Sequence, residues 1–166
     1  MISTELIRRY PFFAGFDRDQ ISTLASCAQE QSFIPGDYIF YEGDELKHFY
    51  LVLDGKADIV IGIPDRAKKH SLSGQLTRAI ETIDITISTV QPGDIFGWSG
   101  LVPPHRSTAS VVAATNCQVV SFDCEKLLHI FQEDNCFGYL MTQKIARVVR
   151  RRLRDMRIES LASTLV

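Results

Sequence analysis

The residues best suited to bind an anion gather in one stretch of this 166-residue chain: Phe96-Gly97-Trp98-Ser99-Gly100-Leu101, then Arg106-Ser107-Thr108. The stretch is rich in Gly and Pro, which makes it a loop with room for one short helical turn. Arg106 is its one arginine, and it contains no lysine. A guanidinium offers a two-pronged charged donor to an anion. Trp98 could be a platform for a planar or apolar ligand, or a plain core aromatic. Ser99, Ser107 and Thr108 could touch a ligand or serve local backbone bonds, as turn hydroxyls often do. His105 adjoins Arg106 and could assist an anion or respond to pH.

Other chemistries find less support. The sequence has no GxSxG, P-loop or recognisable paired-carboxylate motif, so no catalytic residue is assigned and an enzyme is not expected. His48, His70, His105 and His129 lack the H-x-H and H-x-x-x-H spacings of a metal site. Cys27, Cys117, Cys124 and Cys136 form no CxxC pair and read as reduced thiols. Neither metal nor other cofactor is expected.

The formal net charge is −2, without the basic excess of a dedicated nucleic-acid binder. Arg147, Arg150, Arg151, Arg152, Arg154 and Arg157 do cluster near the C-terminus. They read as the solvated face of an amphipathic helix, or as a grip on acidic partners. No run approaches the roughly 20 apolar residues of a membrane span, and the N-terminus lacks a signal-peptide core. A cytoplasmic protein without a membrane partner is expected. Hydrophobic residues make up 45% and charged residues 23%, the balance of one globular domain.

The flanking sequence says what must hold the stretch in place. Ser3 to Tyr10 can form a helix ended by Pro11. Asp17 reads as an N-cap with Gln20 in the capping-box position, followed by an apolar stripe of Ile21, Leu24, Ala25 and Ala28. Pro35-Gly36-Asp37 and Glu42-Gly43-Asp44 are turns around a short strand, Tyr38–Tyr41. Phe49 to Leu53 and Ala57, Ile59, Ile61 and Ile63 alternate as strands on either side of an Asp54-Gly55 hairpin signal. Ile83, Ile85 and Ile87 form another alternating set. The polar segment from Pro64 to about Ile80 reads as a loop, or as an extension of both strands. Pro92-Gly93-Asp94 repeats the earlier turn. Thr108–Ala113 and Cys117–Phe122 are the last strands. Asp123 can cap a helix carrying Leu127, Leu128 and Phe131. From Asn135 a long helix runs without proline.

In order and spacing, these segments resemble the cyclic-nucleotide-binding domain family, which includes the catabolite activator protein and regulatory subunits of cyclic-AMP-dependent kinase. YPFFAGFDRDQISTLA is similar to its leading helices and EGDELKHFYLVLDGKADIV to its hairpin. PGDIFGWSGLVPPHRSTASVVA occupies the place of the phosphate-binding cassette, and CQVVSFDCEKLLHIF that of the last strand and hinge helix. The implied fold is α+β. It is a cyclic-nucleotide-binding-type β-roll (a double-stranded jelly-roll-like barrel) with short N-terminal helices and two C-terminal helices. Residues 1–134 would form the roll, and residues 135–166 a long helix that dimerises through Met141, Ile145, Val148, Val149, Leu153 and Met156.

The resemblance places a ligand at Phe96, Gly97, Trp98, Ser99, Gly100, Leu101, Arg106, Ser107 and Thr108. It also exposes two departures. Trp98 stands where the family has a Glu that accepts from the ribose 2′-hydroxyl, and indole donates but does not accept such a bond. Counting back from Ala109-x-Val111-x-Ala113, the family's Arg position holds Ser107, and Arg106 is one place early. One place in a strand reverses the face. A different course through Pro103-Pro104 would restore it. GWSGLVPPHR also resembles a variant cassette of stand-alone bacterial members.

The expected function is a regulatory ligand-sensing domain that binds a small anionic or nucleotide-like molecule, and cyclic AMP or GMP weakly or not at all. The alternatives are the sensor half of a regulator without its DNA reader, and a ligand-free interaction module. DNA binding by this chain alone is not expected.

Overall fold

The computed structural model of the chain describes residues 2–64 and 82–164. Helix α1 (Thr4–Arg8) starts at Ser3, whose side chain accepts from Glu5 N, and Pro11 opens a 3-10 turn, Pro11–Phe13. Helix α2 (Arg18–Ser26) carries the capping box: Asp17 Oδ1 accepts from Gln20 N at 2.8 Å, and Gln20 Oε1 from Asp17 N at 3.1 Å. The predicted apolar stripe is cut short. Ile21, Leu24 and Ala25 are buried on α2, but Ala28 already opens strand β1.

Eight strands follow among the described residues: β1 (Ala28–Phe33), β2 (Tyr38–Phe40), β3 (His48–Asp54), β4 (Ala57–Pro64), β5 (Thr82–Val90), β6 (Ile95–Phe96), β7 (Ser110–Ala113) and β8 (Cys117–Asp123). They form two antiparallel sheets, ordered β1-β8-β3-β6 and β2-β7-β4-β5. The sheets are not closed into a barrel, which corrects that expectation. One reason is β6. It pairs with β3 at only two positions before the Gly- and Pro-rich stretch takes the chain out of the sheet.

Three turns are built alike. Asp37, Asp44 and Asp94 each use a carboxylate oxygen to accept from the backbone N–H three residues earlier, at Ile34, Tyr41 and Gln91. The repeated Gly-Asp is thus a local device that fixes each turn.

The run Phe49-Tyr50-Leu51-Val52 is apolar throughout because β3 is buried on both faces. Phe49 and Leu51 join a core with Val120, Phe122 and the helices, whereas Tyr50 and Val52 join a second core between the sheets. In β4 the predicted alternation fails midway. A register shift between Ile59 and Val60 makes Val60 the buried residue, and Ile63, with Ile83 and Ile85 of β5, is exposed. The polar segment from about 65 to 80 lies outside the described residues.

Helix α3 (Cys124–Glu133) is capped by Asp123, which accepts from Lys126 N at 3.0 Å. Helix α4 (Asn135–Thr164) then runs across the molecule. Phe137, Met141 and Ile145 are buried in the helix-side core, and Val148 is only 8% exposed. Met141, Ile145 and Val148, three of the residues expected to form an intermolecular seam, are therefore already buried within the chain itself. The broad apolar stripe serves the chain itself, because the first half of α4 packs into the helix-side core and Val149, Leu153 and Met156 then line a cavity.

Candidate functional site

The mouth of the roll holds a cavity of about 410 Å³. Phe40, Ile59, Ile61, Ile87 and Val111 of the second sheet form one side of it. Phe96-Gly97-Trp98-Ser99 and Ser107-Thr108-Ala109 form the rim, and Val149, Arg152, Leu153 and Met156 of α4 come from above.

The Gly-rich stretch reaches this wall through a tight bend. Gly97 lies in the left-handed region at φ 72°, and a Cβ there would stand 3.0 Å from Tyr50 Cδ2 and 3.2 Å from His48 O. The left-handed backbone favours glycine, and a side chain would also have to push its neighbours back by a few tenths of an ångström. Behind it, Tyr50 stacks on Phe96 with ring centres 5.0 Å apart. Burial, with a smaller effect from Cys124, pushes the Tyr50 hydroxyl up to about 12. The bend leads into a 3-10 helix, Trp98–Leu101, that turns the half-buried Trp98 towards the cavity wall.

Of the nine residues expected to surround a ligand, Phe96, Gly97, Trp98, Ser99, Ser107 and Thr108 line the cavity. Gly100, Leu101 and Arg106 are not in its wall. Gly100 is packed too tightly, since a Cβ there would lie 2.7 Å from Cys124 Sγ. Leu101 packs against the helix-side core. Arg106 is exposed, donates from Nη1 to Gly43 O at 2.8 Å, and forms an isolated antiparallel bridge with Glu45.

The one-place offset thus has its structural consequence. Ser107, at 7% exposure, takes the inward position, and Arg106 turns outward. Ser107 Oγ is engaged with the backbone of its own turn: it donates to Ala109 O and accepts from Ala109 N at 3.3 Å. His105 Nδ1 lies 2.8 Å from Gly100 O, so its ring braces the turn.

A cation does stand in the wall, on α4. Arg152 Nη2 donates to Ile95 O at 2.9 Å, and Arg152 Nε is buried without a hydrogen-bond partner. Burial is the main cause that draws its pKa below the usual arginine value; Arg151 adds to the effect, while Asp94 and Asp155 oppose it. Neighbouring Arg151 Nη2 pairs with Asp94 Oδ1 at 2.8 Å. Two adjacent arginines therefore fasten α4 to the start of the cassette. Reading the six C-terminal arginines as one solvated face missed this. The available signal was spacing: Arg152 falls four residues after Val148 and four before Met156, on the apolar stripe.

Among the described residues, no cluster of His, Cys, Asp and Glu could hold a metal ion, and no helix is long and apolar enough to cross a membrane.

Two open antiparallel sheets with C-terminal helices, a tight glycine bend and a cassette at the roll's mouth define a cyclic-nucleotide-binding β-roll. The family model for the cyclic nucleotide-binding domain matches residues 30–134, and the chain belongs to that family. It is similar to the cyclic AMP receptor protein of Thermus thermophilus, at 26% identity over 149 residues, which cover 90% of this chain and 60% of that protein. It is also similar to the human potassium/sodium hyperpolarization-activated cyclic nucleotide-gated channel 1, at 26% identity over 129 residues, covering 78% of this chain and 12% of the channel. Among solved structures, a Geobacter metallireducens chain assigned to cyclic-nucleotide binding superposes with a TM-score of 0.74 at 27% identity, covering 92% of this chain and 99% of that one. The chain is a regulatory-type domain related to these proteins, and it spans less than two thirds of the two curated relatives' lengths.

Proposed function

We propose that this domain senses a small molecule in the cavity beneath α4, and that cyclic AMP and cyclic GMP are poor ligands for it. One observation carries the reading: the cavity wall is shared between the roll and α4. A molecule that fills it touches both and so biases the helix position. A ligand shifts such an equilibrium only as far as its affinities for the two positions differ.

The case against cyclic nucleotides rests on the two family positions. Trp98 brings bulk and no acceptor where a ribose-binding carboxylate belongs. Ser107 brings a hydroxyl already bound to backbone where a phosphate-binding guanidinium belongs.

Trp98 is the chain's one tryptophan and it lines the cavity, so its fluorescence reports occupancy directly. Titration of the protein with small metabolites should move that emission for the natural ligand. Calorimetry with cyclic AMP and cyclic GMP should show no Kd of micromolar or tighter. A micromolar Kd for either nucleotide refutes the second half of the reading. A cavity that accepts no small molecule refutes the first and leaves an interaction module.

A second reading has its own support. The chain spans 60% of the Thermus receptor protein, which fits the sensor portion of a longer regulator. The test is whether the native reading frame continues past Val166. In either reading α4 also presents exposed Leu153, Met156, Ile158 and Leu161, which suits a homodimer.

A further inference from the structure

We infer that the cavity takes a carboxylic acid with an apolar body, and that Arg152 of α4, rather than the cassette, holds its carboxylate. The inference rests on the ligand-sensing reading above and names the class of ligand.

The body follows from the walls. Phe40, Ile61, Ile87, Trp98, Val111 and Leu153 present carbon to the space. Against these side chains a ribose or a phosphate ring finds no partners and depends on the few hydroxyls of the rim, Ser99 and Thr108 among them, and each group left unpaired opposes binding. A planar ring or an alkyl chain removes apolar surface from water on both sides.

The head group follows from Arg152. Its one hydrogen bond among the described residues runs from Nη2 to a neutral carbonyl, Ile95 O. Its Nε is buried without a partner, and no carboxylate among the described residues lies within ion-pair distance of it. Asp94, beside the Ile95 carbonyl that Arg152 bonds, is paired with Arg151, and Asp155, three residues along α4, makes no ion pair with Arg152. A mostly buried guanidinium with spare donors and, among the described residues, no carboxylate in direct contact is an arrangement that an anion relieves, even with Asp94 and Asp155 acting on it from farther away. A carboxylate matches its planar donor fork.

The charge of the ligand is limited to one. Asp155 and Glu159 also belong to the cavity wall, on the exposed side of α4. They are solvated and weaken a single buried ion pair little, but a phosphate dianion would meet two carboxylates for one cation. Because Arg152 also bonds Ile95, a carboxylate drawn to it acts on the contact that fixes α4 to the cassette.

The test uses the full chain, calorimetry and thermal melting, with four probes: octanoate and phenylacetate, and their neutral counterparts octanamide and phenylacetamide. Each acid should bind at least about tenfold more tightly than its amide, the range of a hydrogen bond to a charged group. Arg152→Gln should bring each acid down to the level of its amide measured in the same variant. Arg152→Lys, which keeps the charge, should retain a preference for the acids. Amides that bind as well as acids, or acids unaffected by Arg152→Gln, would overturn the role of Arg152 while leaving a ligand-sensing cavity. If none of the four binds, the ligand class is wrong. The metabolite titration followed by Trp98 fluorescence then decides separately whether the cavity senses anything. The comparison of acid with amide in the unmodified protein needs no variant, so it stands even if Arg152→Gln does not fold.

Discussion

Arg106 Nη1 donates to the carbonyl oxygen of Gly43 at 2.8 Å, which commits the cassette's one arginine to the backbone of another turn, outside the cavity. Ser107, its neighbour, is buried and faces the cavity. A single residue of offset therefore separates a structural arginine from a ligand-binding one. Arg106→Ala should leave the Kd of any cavity ligand within about twofold. It should lower stability by about 1 kcal/mol or less, since the bond is exposed. A tenfold loss of affinity measured by calorimetry would put the ligand on Arg106 after all.

The same geometry says how cyclic-nucleotide binding could be installed. Trp98 and Ser107 both line the cavity, and the resemblance to the family puts its Glu and Arg at these two positions. An unpaired ribose hydroxyl alone opposes binding by about 1–3 kcal/mol, up to a hundredfold in affinity. Trp98→Glu supplies an acceptor and removes the indole, and Ser107→Arg places a guanidinium on the inward face. The double variant should bind cyclic AMP at least about tenfold more tightly than the unmodified chain. Trp98→Glu alone should gain less. No gain from either variant would mean that the backbone of the cassette, and not these two side chains, excludes the nucleotide.

Much of this architecture was legible in the residues, and the exceptions have physical reasons. Local signals carried through: the Asp17–Gln20 capping box, the Asp123 cap and the repeated Gly-Asp turns depend only on neighbours in sequence. Phe96, Gly97, Trp98 and Ser107, which the resemblance to the family's cassette singled out, all line the cavity. What could not be read depends on contacts between distant segments. The register shift at Ile59–Val60 arises in the pairing with β5, while the pairing with β7 stays continuous there. The burial of Met141 and Val148 against the chain's own roll, and the position of Arg152 in the cavity wall, depend on where α4 crosses the roll. An apolar stripe looks the same from sequence whether it docks on its own domain or on a second copy.

Thiol chemistry offers a check on burial. Cys124 is 2% exposed, and burial, with a smaller effect from Asp123 and an opposing hydrogen bond from Phe49, pushes its thiol up to about 12. The thiolate is the reactive form, so Cys124 should resist alkylation. Cys27 and Cys117 are also buried, while Cys136 is exposed. Iodoacetamide at pH 8 should therefore modify Cys136 rapidly and the other three only on unfolding, as read by peptide mass spectrometry. The sign of the linkage follows. A group whose folded pKa is raised favours the folded state below its ordinary pKa and loses that contribution as pH climbs towards the raised value. Cys124, from 9.0, and Tyr50, from 10.0, both rise to about 12, so the melting temperature should fall progressively as pH rises from about 9 towards 12. Rapid labelling of Cys124 in the folded protein, or a flat alkaline profile, would contradict the burial.

The two halves of α4 should respond oppositely to an added charge. Val148 is 8% exposed within its own chain, and Leu161 is 66% exposed. Val148→Asp places a carboxylate among apolar side chains without a partner. That should cost about 3 kcal/mol or more of fold stability whatever the oligomeric state. Leu161→Asp should change the stability of a single chain by no more than about 0.5 kcal/mol. If α4 also joins two copies, its far half is the better candidate, because Leu153 at 47%, Met156 at 48% and Ile158 at 54% exposure accompany Leu161 there, whereas the near half exposes Tyr139 at 64%. Leu153 and Met156 also line the cavity, so an interface there would contact the same helix turns that hold Arg152. The unmodified protein should sediment as a dimer, and Leu161→Asp combined with Ile158→Asp should sediment as a folded monomer with an unchanged circular-dichroism spectrum. An unmodified chain that stays monomeric at high concentration would leave this face without a second copy to cover it.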